Sequence, residues 1–233
     1  MLEIDELTLQ FGGVKPLDGV TLTFDAGVNG LIGPNGAGKT SMLNVISGFY
    51  RPSAGRILLD GTDLRKLPPH RRARAGVRRT FQQEQVIQEL SAYDNVLLAA
   101  ENLGESRDEV DRVLDRIGLV DVGRKAIDLN MMERRLVEIA KTMLGRPRLV
   151  LLDEPGAGLA DADSLRLIPL IRQLGEQDGT AVVLVDHDME LVSTVCAKIS
   201  VLDFGRLIAQ GPTAEVLASS VVRRAYLGTE EVA

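Results

Sequence analysis

The sequence has few of the residues that stabilise small secreted domains or bind single-stranded nucleic acid. Cys196 is the one cysteine among 233 residues, so an internal disulfide framework and a cysteine-rich zinc site are both excluded. There is no tryptophan, and five phenylalanines and three tyrosines offer few rings on which bases could stack. The formal net charge is −6, whereas sequence-independent nucleic-acid binding depends on neutralising phosphates. We therefore expect no nucleic-acid partner.

Long apolar runs are also lacking. No run approaches the ~18 residues that cross a bilayer. Glu3, Asp5 and Glu6 stand where a secretory signal would be positively charged. A hydrophobic content of 45% with 26% charged residues favours a folded globule over a disordered chain. We expect a protein of the reducing cytosol that is soluble by itself.

The hydrophobic pattern predicts two kinds of sheet. Apolar and polar residues alternate over 2–10 and 20–24, which indicates half-exposed strands of an antiparallel sheet. Near-continuous apolar runs are typical of central strands in a parallel sheet covered by helices. Those runs are 28–32, 149–152 and 181–185. A final strand pair is predicted at 199–202 and 207–208, and a C-terminal helix at 213–226.

The region before the apolar run at 149–152 is predicted to be helical. Apolar residues follow helical spacing from Val110 to Ile117 and from Leu136 to Leu144. We expect a single domain over 1–233. Its core, with the antiparallel β subdomain, comprises 1–81 and 146–233, and its helical lobe comprises 82–145.

A phosphate-binding loop stands between an apolar strand and a predicted helix over 39–47. The segment matches G-x-x-x-x-G-K-[ST] at every fixed position, in the strand–helix context that gives the motif its meaning. Its backbone N–H groups and the helix N-terminus would surround a phosphate, Lys39 would reach the β/γ-phosphates, and Thr40 would ligate Mg²⁺. The predicted nucleotide contacts here are Gly33, Pro34, Asn35, Gly36, Ala37, Gly38, Lys39, Thr40 and Ser41.

Three polar residues follow two of the buried strands at their carboxyl ends, where ligands bind in α/β sheets. Asp153 can hold Mg²⁺ opposite Thr40, and Glu154 can orient or deprotonate a water beside the γ-phosphate. His187 can hydrogen-bond the γ-phosphate or that water. A single histidine is more often a satisfied surface or core residue, and the convergence of three strand ends favours the catalytic interpretation.

The order of these motifs resembles that of the ATP-binding-cassette (ABC) ATPases, over essentially the whole chain from Leu2 to about Gly228. The resemblance implies an α/β fold of the P-loop NTPase type, with an antiparallel β subdomain, a parallel-sheet core and a helical lobe. It further implies ATP and Mg²⁺ as ligands and an ATPase activity coupled to transmembrane transport.

The resemblance also assigns roles to individual residues. Gln82, in Arg79-Thr80-Phe81-Gln82, resembles the catalytic-site glutamine that senses Mg²⁺ and the γ-phosphate and links the site to a transmembrane partner. Phe11 resembles the aromatic residue that stacks on adenine, and a core position at a strand end is the alternative. A further segment resembles the D-loop that crosses the dimer interface, and its residues are Gly158, Leu159, Ala160 and Asp161.

Segments 79–82, 133–140, 187–189 and 224–228 are similar to those of ATPases from branched-chain (hydrophobic) amino acid importers. ATPases of lipopolysaccharide export share the ending, and they remain the nearest alternative. The likeness implies transmembrane permease subunits, a peripheral position on the cytoplasmic face of the membrane and, indirectly, a substrate-binding protein. Soluble ABC ATPases of DNA repair or translation are an alternative from another class, as is a regulatory subunit with little turnover.

The chain departs from the family at the signature loop, which in the family reads Leu-Ser-Gly-Gly-Gln. Asn130 can still cap a helix, but bulky side chains replace the glycines that allow close approach to the opposite subunit's γ-phosphate. One interpretation is a loop that still works through its backbone N–H groups. The other is a poorly hydrolysing site in a heterodimer with a second ABC ATPase, with a homodimer as the alternative. The aligned residues are Leu129, Asn130, Met131, Met132 and Glu133.

A basic run precedes Gln82. It predicts a solvated loop or a contact with a membrane partner, because a nucleic-acid patch would be expected to carry interleaved aromatic residues. Cys196, among apolar neighbours, is predicted to be buried rather than reactive, and His70 is predicted to be exposed. The arginines of the run are Arg71, Arg72, Arg74, Arg78 and Arg79.

Overall fold

The computed structural model describes residues 1–176 and 179–227, and within them strands form two sheets. In chain order, β1 to β10 are Leu2–Phe11, Val14–Phe24, Gly27–Ile32, Ala54–Leu59, Thr62–Asp63, Val77–Arg79, Leu149–Asp153, Ala181–Val185, Lys198–Asp203 and Arg206–Pro212. An antiparallel sheet has the order β2-β1-β4-β5, and a second sheet has the order β10-β9-β3-β8-β7-β6. The second sheet is parallel except for β10. Both predicted sheets are confirmed.

Helices cover the sheets and fill the region between β6 and β7. In the described residues, α1 to α9 are Lys39–Ser47, Pro69–Arg74, Ala92–Leu103, Arg107–Ile117, Met131–Met143, Asp161–Gly175, Met189–Val195, Thr213–Ala218 and Ser220–Leu227. Helices α3, α4 and α5 pack on one another. Apart from an isolated bridge between Ser91 and Lys125, no β-structure lies between β6 and β7, so the predicted helical region is confirmed. None of these helices is long and apolar enough to cross a membrane.

Both faces of the parallel sheet are buried, which explains the continuous apolar runs in the sequence. On β7, Val150 and Leu152 belong to a core shared with α3 to α7. Leu149 and Leu151, which point to the other face, belong to a core shared with α1 and the antiparallel sheet. The carboxyl ends of these central strands are thereby fixed on a rigid layer, and the candidate site lies there.

The C-terminal helix differs from its prediction. Instead of one helix over 213–226, α8 ends before Ser219, which has extended backbone angles (φ −64°, ψ 134°). The Ser219 carbonyl accepts from Arg223 N at 3.1 Å, so α9 starts a new hydrogen-bonded ladder. Serine competes for nearby backbone groups and favours helix starts over helix interiors, which explains the break. Gly228, the last residue of the family resemblance, lies outside the described residues.

The basic run does not form a loop, so that part of its prediction was wrong, whereas the alternative of a contact with a membrane partner stays a prediction. The run forms α2 and β6, and Arg71 and Arg74 are exposed whereas Arg72 is buried and Arg78 is partly buried. Arg72 donates to the carbonyls of Val45 and Ile46 at the end of α1 (2.6 and 2.7 Å). Backbone carbonyls left unpaired at a helix end need such donors, so this arginine has a structural role.

Candidate functional site

Two glycines of the loop between β3 and α1 lie where an added side chain would clash with a neighbouring backbone. Gly33 (φ +150°) lies so close to β9 that an added Cβ would be 2.1 Å from the Leu202 carbonyl oxygen. A Cβ at Gly38 (φ +105°) would be 2.3 Å from the Pro16 carbonyl oxygen. The loop is therefore held tightly against its neighbours, with its backbone turned toward the start of α1.

Lys39, the first residue of α1, bends back over this loop. Its Nζ donates to the carbonyl oxygens of Gly33 (2.6 Å) and Pro34 (3.0 Å). Burial lowers the pKa of Lys39, and the nearby carboxylates of Glu154 and Asp153 counteract that effect. A half-buried ammonium group at the start of a helix offers a strong positive site for an anion.

A polar cavity of about 260 Å³ opens beside the loop. It brings together four separate parts of the sequence: β2, the phosphate-binding loop with the start of α1, the segment after β6 and the residue after β7. Its lining residues are Pro16, Asn35, Gly36, Ala37, Gly38, Lys39, Thr40, Ser41, Gln82 and Glu154. Seven of the nine predicted loop residues thus line one cavity with Gln82 and Glu154, whereas Gly33, Pro34 and Asp153 are not among its lining residues. Pro16 was not predicted, and no sequence signal marks it.

Gln82 and Glu154 face each other across this cavity. Gln82 Nε2 donates to Glu154 Oε2 at 3.1 Å. Glu154 has a left-handed backbone (φ +48°), which is uncommon for a residue other than glycine and costs roughly 1–3 kcal/mol. Its N–H donates to the Val185 carbonyl at 2.8 Å, so the neighbouring strand holds it in this conformation.

Asp153, the last residue of β7, is buried and already has a cationic partner. Arg79 Nη2 lies 2.9 Å from Asp153 Oδ2, and the Asp153 N–H donates to Thr80 Oγ1 at 3.1 Å. The Arg79 contact uses one of the two carboxylate oxygens. Arg79 was named in the basic run and in the family-like segment Arg79-Thr80-Phe81-Gln82, but the sequence predicted no partner for it.

The oxygen donors at the site suit Mg²⁺. The Thr40 hydroxyl, the Gln82 amide oxygen and the Asp153 carboxylate are hard ligands of the kind that this ion prefers. Within residues 1–176 and 179–227, no group of three or more His, Cys, Asp or Glu side chains could hold a metal by itself. Mg²⁺ usually binds through one or two protein oxygens plus substrate phosphates, and these residues fit that arrangement.

His187 and Phe11 lie outside the cavity lining. His187 follows β8, its side chain is 73% exposed, and its Nδ1 is 3.8 Å from Asp186 Oδ1. Phe11 ends β1, is half exposed, and contacts Tyr50 edge-to-face with ring centroids 5.2 Å apart. Tyr50 was not predicted as a site residue. Its position shortly after the phosphate-loop helix is a feature of the sequence that could have indicated it.

The signature segment forms the start of α5 as a self-contained cap. Asn130 Oδ1 accepts from Glu133 N at 2.9 Å, and Glu133 Oε2 accepts from Asn130 N at 2.8 Å, so the two residues form a capping box. The predicted capping role of Asn130 is confirmed. Arg124 pairs with the Glu133 carboxylate. Leu129 and Met132 are buried, whereas Met131 is partly exposed.

The predicted D-loop lies against this cap. Gly158 has a left-handed backbone (φ +78°), and a Cβ there would be 3.3 Å from the Met131 sulfur. Leu159 donates its N–H to the Gly156 carbonyl at 3.1 Å. Ala160 precedes α6, whose first residue is Asp161. Met131 thus packs beside the D-loop of its own chain.

Fold and cavity together define a nucleotide-binding protein with a phosphate loop on a parallel α/β core. The chain matches the family model described as "ABC transporter" over residues 17–157. A second model, "Branched-chain amino acid ATP-binding cassette transporter", matches residues 206–232. This protein belongs to the ABC transporter family of ATPases.

Individual proteins of similar sequence or structure support this family assignment. The chain is 35% identical to the high-affinity branched-chain amino acid transport ATP-binding protein BraF of Pseudomonas aeruginosa, over 98% of each chain. It is 32% identical to the lipopolysaccharide export system ATP-binding protein LptB of Escherichia coli, again over 98% of each. A crystal structure of a nucleotide-free ATP-binding cassette from an ABC transporter superposes with a TM-score of 0.89 at 27% identity, covering 98% of this chain and 99% of the other.

Proposed function

We propose that this chain is the ATP-hydrolysing subunit of a membrane importer for branched-chain or other hydrophobic amino acids. The match of residues 206–232 to the branched-chain model carries the choice of cargo. The likeness to BraF over the whole chain supports it. The likeness to LptB makes a lipopolysaccharide-type exporter the alternative. Bound to permeases, the chain would lie on the cytoplasmic face of the membrane, and an importer would also use a substrate-binding protein.

ATP would bind with its phosphates in the glycine loop. Lys39 would exchange its carbonyl partners for phosphate oxygens, since charged acceptors form the stronger hydrogen bonds. Thr40, Asp153 and Gln82 would hold Mg²⁺, which would supply positive charge against the charge that develops on the phosphates. Phe11, with Tyr50 beside it, would contact adenine.

Glu154 is the proposed base for the attacking water. Its carboxylate reaches the cavity, and Gln82 orients it through the 3.1 Å hydrogen bond. His187 would contact the γ-phosphate from the adjacent strand end. Because His187 is so exposed here, this role needs His187 to approach the nucleotide when the site closes.

A groove next to this site is the proposed docking place for a permease segment. Its volume is about 290 Å³ and its walls are mainly apolar. Phe49, in this groove, is 54% exposed, and a large exposed ring in a concave surface is typical of an interaction site. Phe81, the residue before Gln82, also lines it, so docking here would be felt one residue from the nucleotide cavity.

We further propose that the ATPase partner is a different ABC subunit. A signature loop serves the partner's nucleotide through free N–H groups at a helix start. Here the side chains of Met131 and Met132 replace the glycines, and the Asn130–Glu133 capping box places a carboxylate at the helix start. The residues of this chain's own phosphate loop match the motif. In the dimer, each nucleotide site combines the phosphate loop of one subunit with the signature segment of the other. The weak half-site would be the one that uses Met131 and its neighbours, on the partner's phosphate loop.

Purification from membranes tests these proposals. We expect the complex to contain permeases and a second ATPase, to hydrolyse ATP faster than this chain alone, and to drive leucine uptake in proteoliposomes. Lipopolysaccharide-stimulated turnover without leucine uptake would favour the exporter. Equal ATPase activity of the isolated chain and the complex would refute the heterodimer.

A matched variant tests the loop itself. Met131→Gly with Glu133→Gln restores glycine and removes the charge, and glutamine preserves the capping box. We expect this double variant to raise the ATPase activity of the chain alone, with Met132 left in the core. No increase would mean that the loop's bulk and charge do not limit turnover.

A further inference from the structure

Arg79 connects the metal-site carboxylate to the helix of the phosphate loop. Its side chain is 6% exposed and its Nη2 pairs with Asp153 Oδ2 at 2.9 Å. Its Nη1 donates to Asn44 Oδ1 at 2.8 Å and to Ser47 Oγ at 3.0 Å, both on α1. One planar group therefore fixes the end of β7 relative to α1, a role that the compact ammonium of a lysine cannot reproduce.

The other side of the same guanidinium faces aromatic rings of the groove. Its carbon lies 4.8 Å from the Phe81 ring centroid and 6.0 Å from that of Phe49. The two rings meet edge-to-face at 5.7 Å. Arg79 itself lines this groove. Cation–π contacts of this kind orient a cation over the ring face, so a change in the groove wall alters the surroundings of Arg79 directly.

The hydrogen-bond pattern explains why the orientation of Arg79 matters. Nε is buried without a partner, so the two Nη groups and the rings determine where the guanidinium lies. Asp153 is itself buried. A buried carboxylate that loses its cationic partner is strongly destabilised. Partners that orient a metal ligand typically change metal affinity by about 10–100-fold when mutated.

We propose that Arg79 is a positioning residue that holds Asp153 ready for the nucleotide-bound metal, and that Phe49 and Phe81 make its position respond to what occupies the groove. The proposal rests on the proposed function, which supplies Mg²⁺ATP at Asp153 and a permease segment in the groove. The side chain of Arg79 thereby connects the docking surface directly to the metal ligand Asp153.

The test compares Arg79→Lys with the native chain, using a fluorescent ATP analogue with Mg²⁺ and with EDTA. The quantity measured is the gain in nucleotide affinity that Mg²⁺ provides. We expect that gain to fall at least about tenfold, with the affinity in EDTA nearly unchanged. The control is Arg135→Lys, since Arg135 is another buried arginine paired with a carboxylate, Glu138 at 2.8 Å, and its Nε also lacks a partner.

The outcomes are distinct. If Arg79→Lys keeps the native Mg²⁺ gain, or if Arg135→Lys loses as much, Arg79 does not position Asp153. Should Arg79→Lys fail to fold, Phe49→Leu decides, because this exposed ring tolerates change. We expect the gain in nucleotide affinity that Mg²⁺ provides to fall in this variant as well. An unchanged gain would refute the proposal that the groove affects the position of Arg79. A native chain that binds no nucleotide in either buffer would instead refute the proposed function.

Discussion

The variant Glu154→Gln removes the proposed base and leaves the shape of the site intact. Glutamine has the same length and accepts the same left-handed backbone at φ +48°. Its amide oxygen can accept the hydrogen bond that Gln82 now donates to Glu154 Oε2 at 3.1 Å. Only the negative charge and the basicity are lost, so the variant separates chemistry from binding.

The expected loss of turnover follows from the role of a general base. Positioned acid–base groups contribute about 10²–10⁴-fold to rate, which corresponds to roughly 3–5 kcal/mol of transition-state stabilisation. Nucleotide binding should persist or strengthen, because a carboxylate near the phosphates is replaced by a neutral group. Removing Glu154 also leaves only Asp153 to oppose the burial of Lys39, so the pKa of Lys39 falls further.

The assay is steady-state ATP hydrolysis by the purified complex, with nucleotide affinity measured on the same preparation. Glu190→Gln is the control, since Glu190 is an exposed carboxylate in the first turn of α7, three residues beyond His187. We expect that control to hydrolyse at the native rate. Turnover of Glu154→Gln within about fivefold of native, below the range for a lost base, would refute the assignment and direct attention to His187.

Two further predictions concern the phosphate loop and the thiol. Gly33→Ala should destabilise the fold by roughly 2–5 kcal/mol, because strain at positive φ adds to a clash with the Leu202 carbonyl. Gly36→Ala, which has nothing within 4 Å of its new Cβ, should cost about 1 kcal/mol, and equal losses in urea melts would contradict this. Burial raises the pKa of Cys196 to about 12, so thiolate forms only as pH rises through that value. Iodoacetamide should therefore label the native protein negligibly at pH 8 and readily in urea, and fast native labelling would disprove the burial.

Local sequence signals predicted the elements that depend on local chemistry. The helix over 39–47 has the bounds predicted for it, with Gly48 in the left-handed conformation (φ 89°) at its end. The parallel strands β3, β7 and β8 followed from apolar runs, which are typical of strands buried on both faces. β6 and α2 were missed, since three residues of strand beside a cluster of arginines carry no periodic signal.

The arginines show why the remainder of the site could not be predicted. Arg71, Arg72 and Arg79 are identical residues in one short run, yet one is exposed, one caps α1 and one pairs with Asp153. The difference comes from partners 26 to 74 residues away. Residue type alone does not encode such contacts, because they depend on how the strands are ordered in the sheet.

The same long-range contacts suggest why the site and the signature segment differ in kind. Among the predicted nucleotide residues, Asp153 lies at a strand end and has partners from another part of the chain: its carboxylate pairs with Arg79 (2.9 Å), and its N–H donates to Thr80 Oγ1 (3.1 Å). The signature segment is satisfied within itself through the Asn130–Glu133 capping box. The capping box pairs the N–H groups of Asn130 and Glu133 and places a carboxylate at the helix start, which disfavours a phosphate from another subunit there. The proposed weak half-site would therefore require no defect in the fold of this chain.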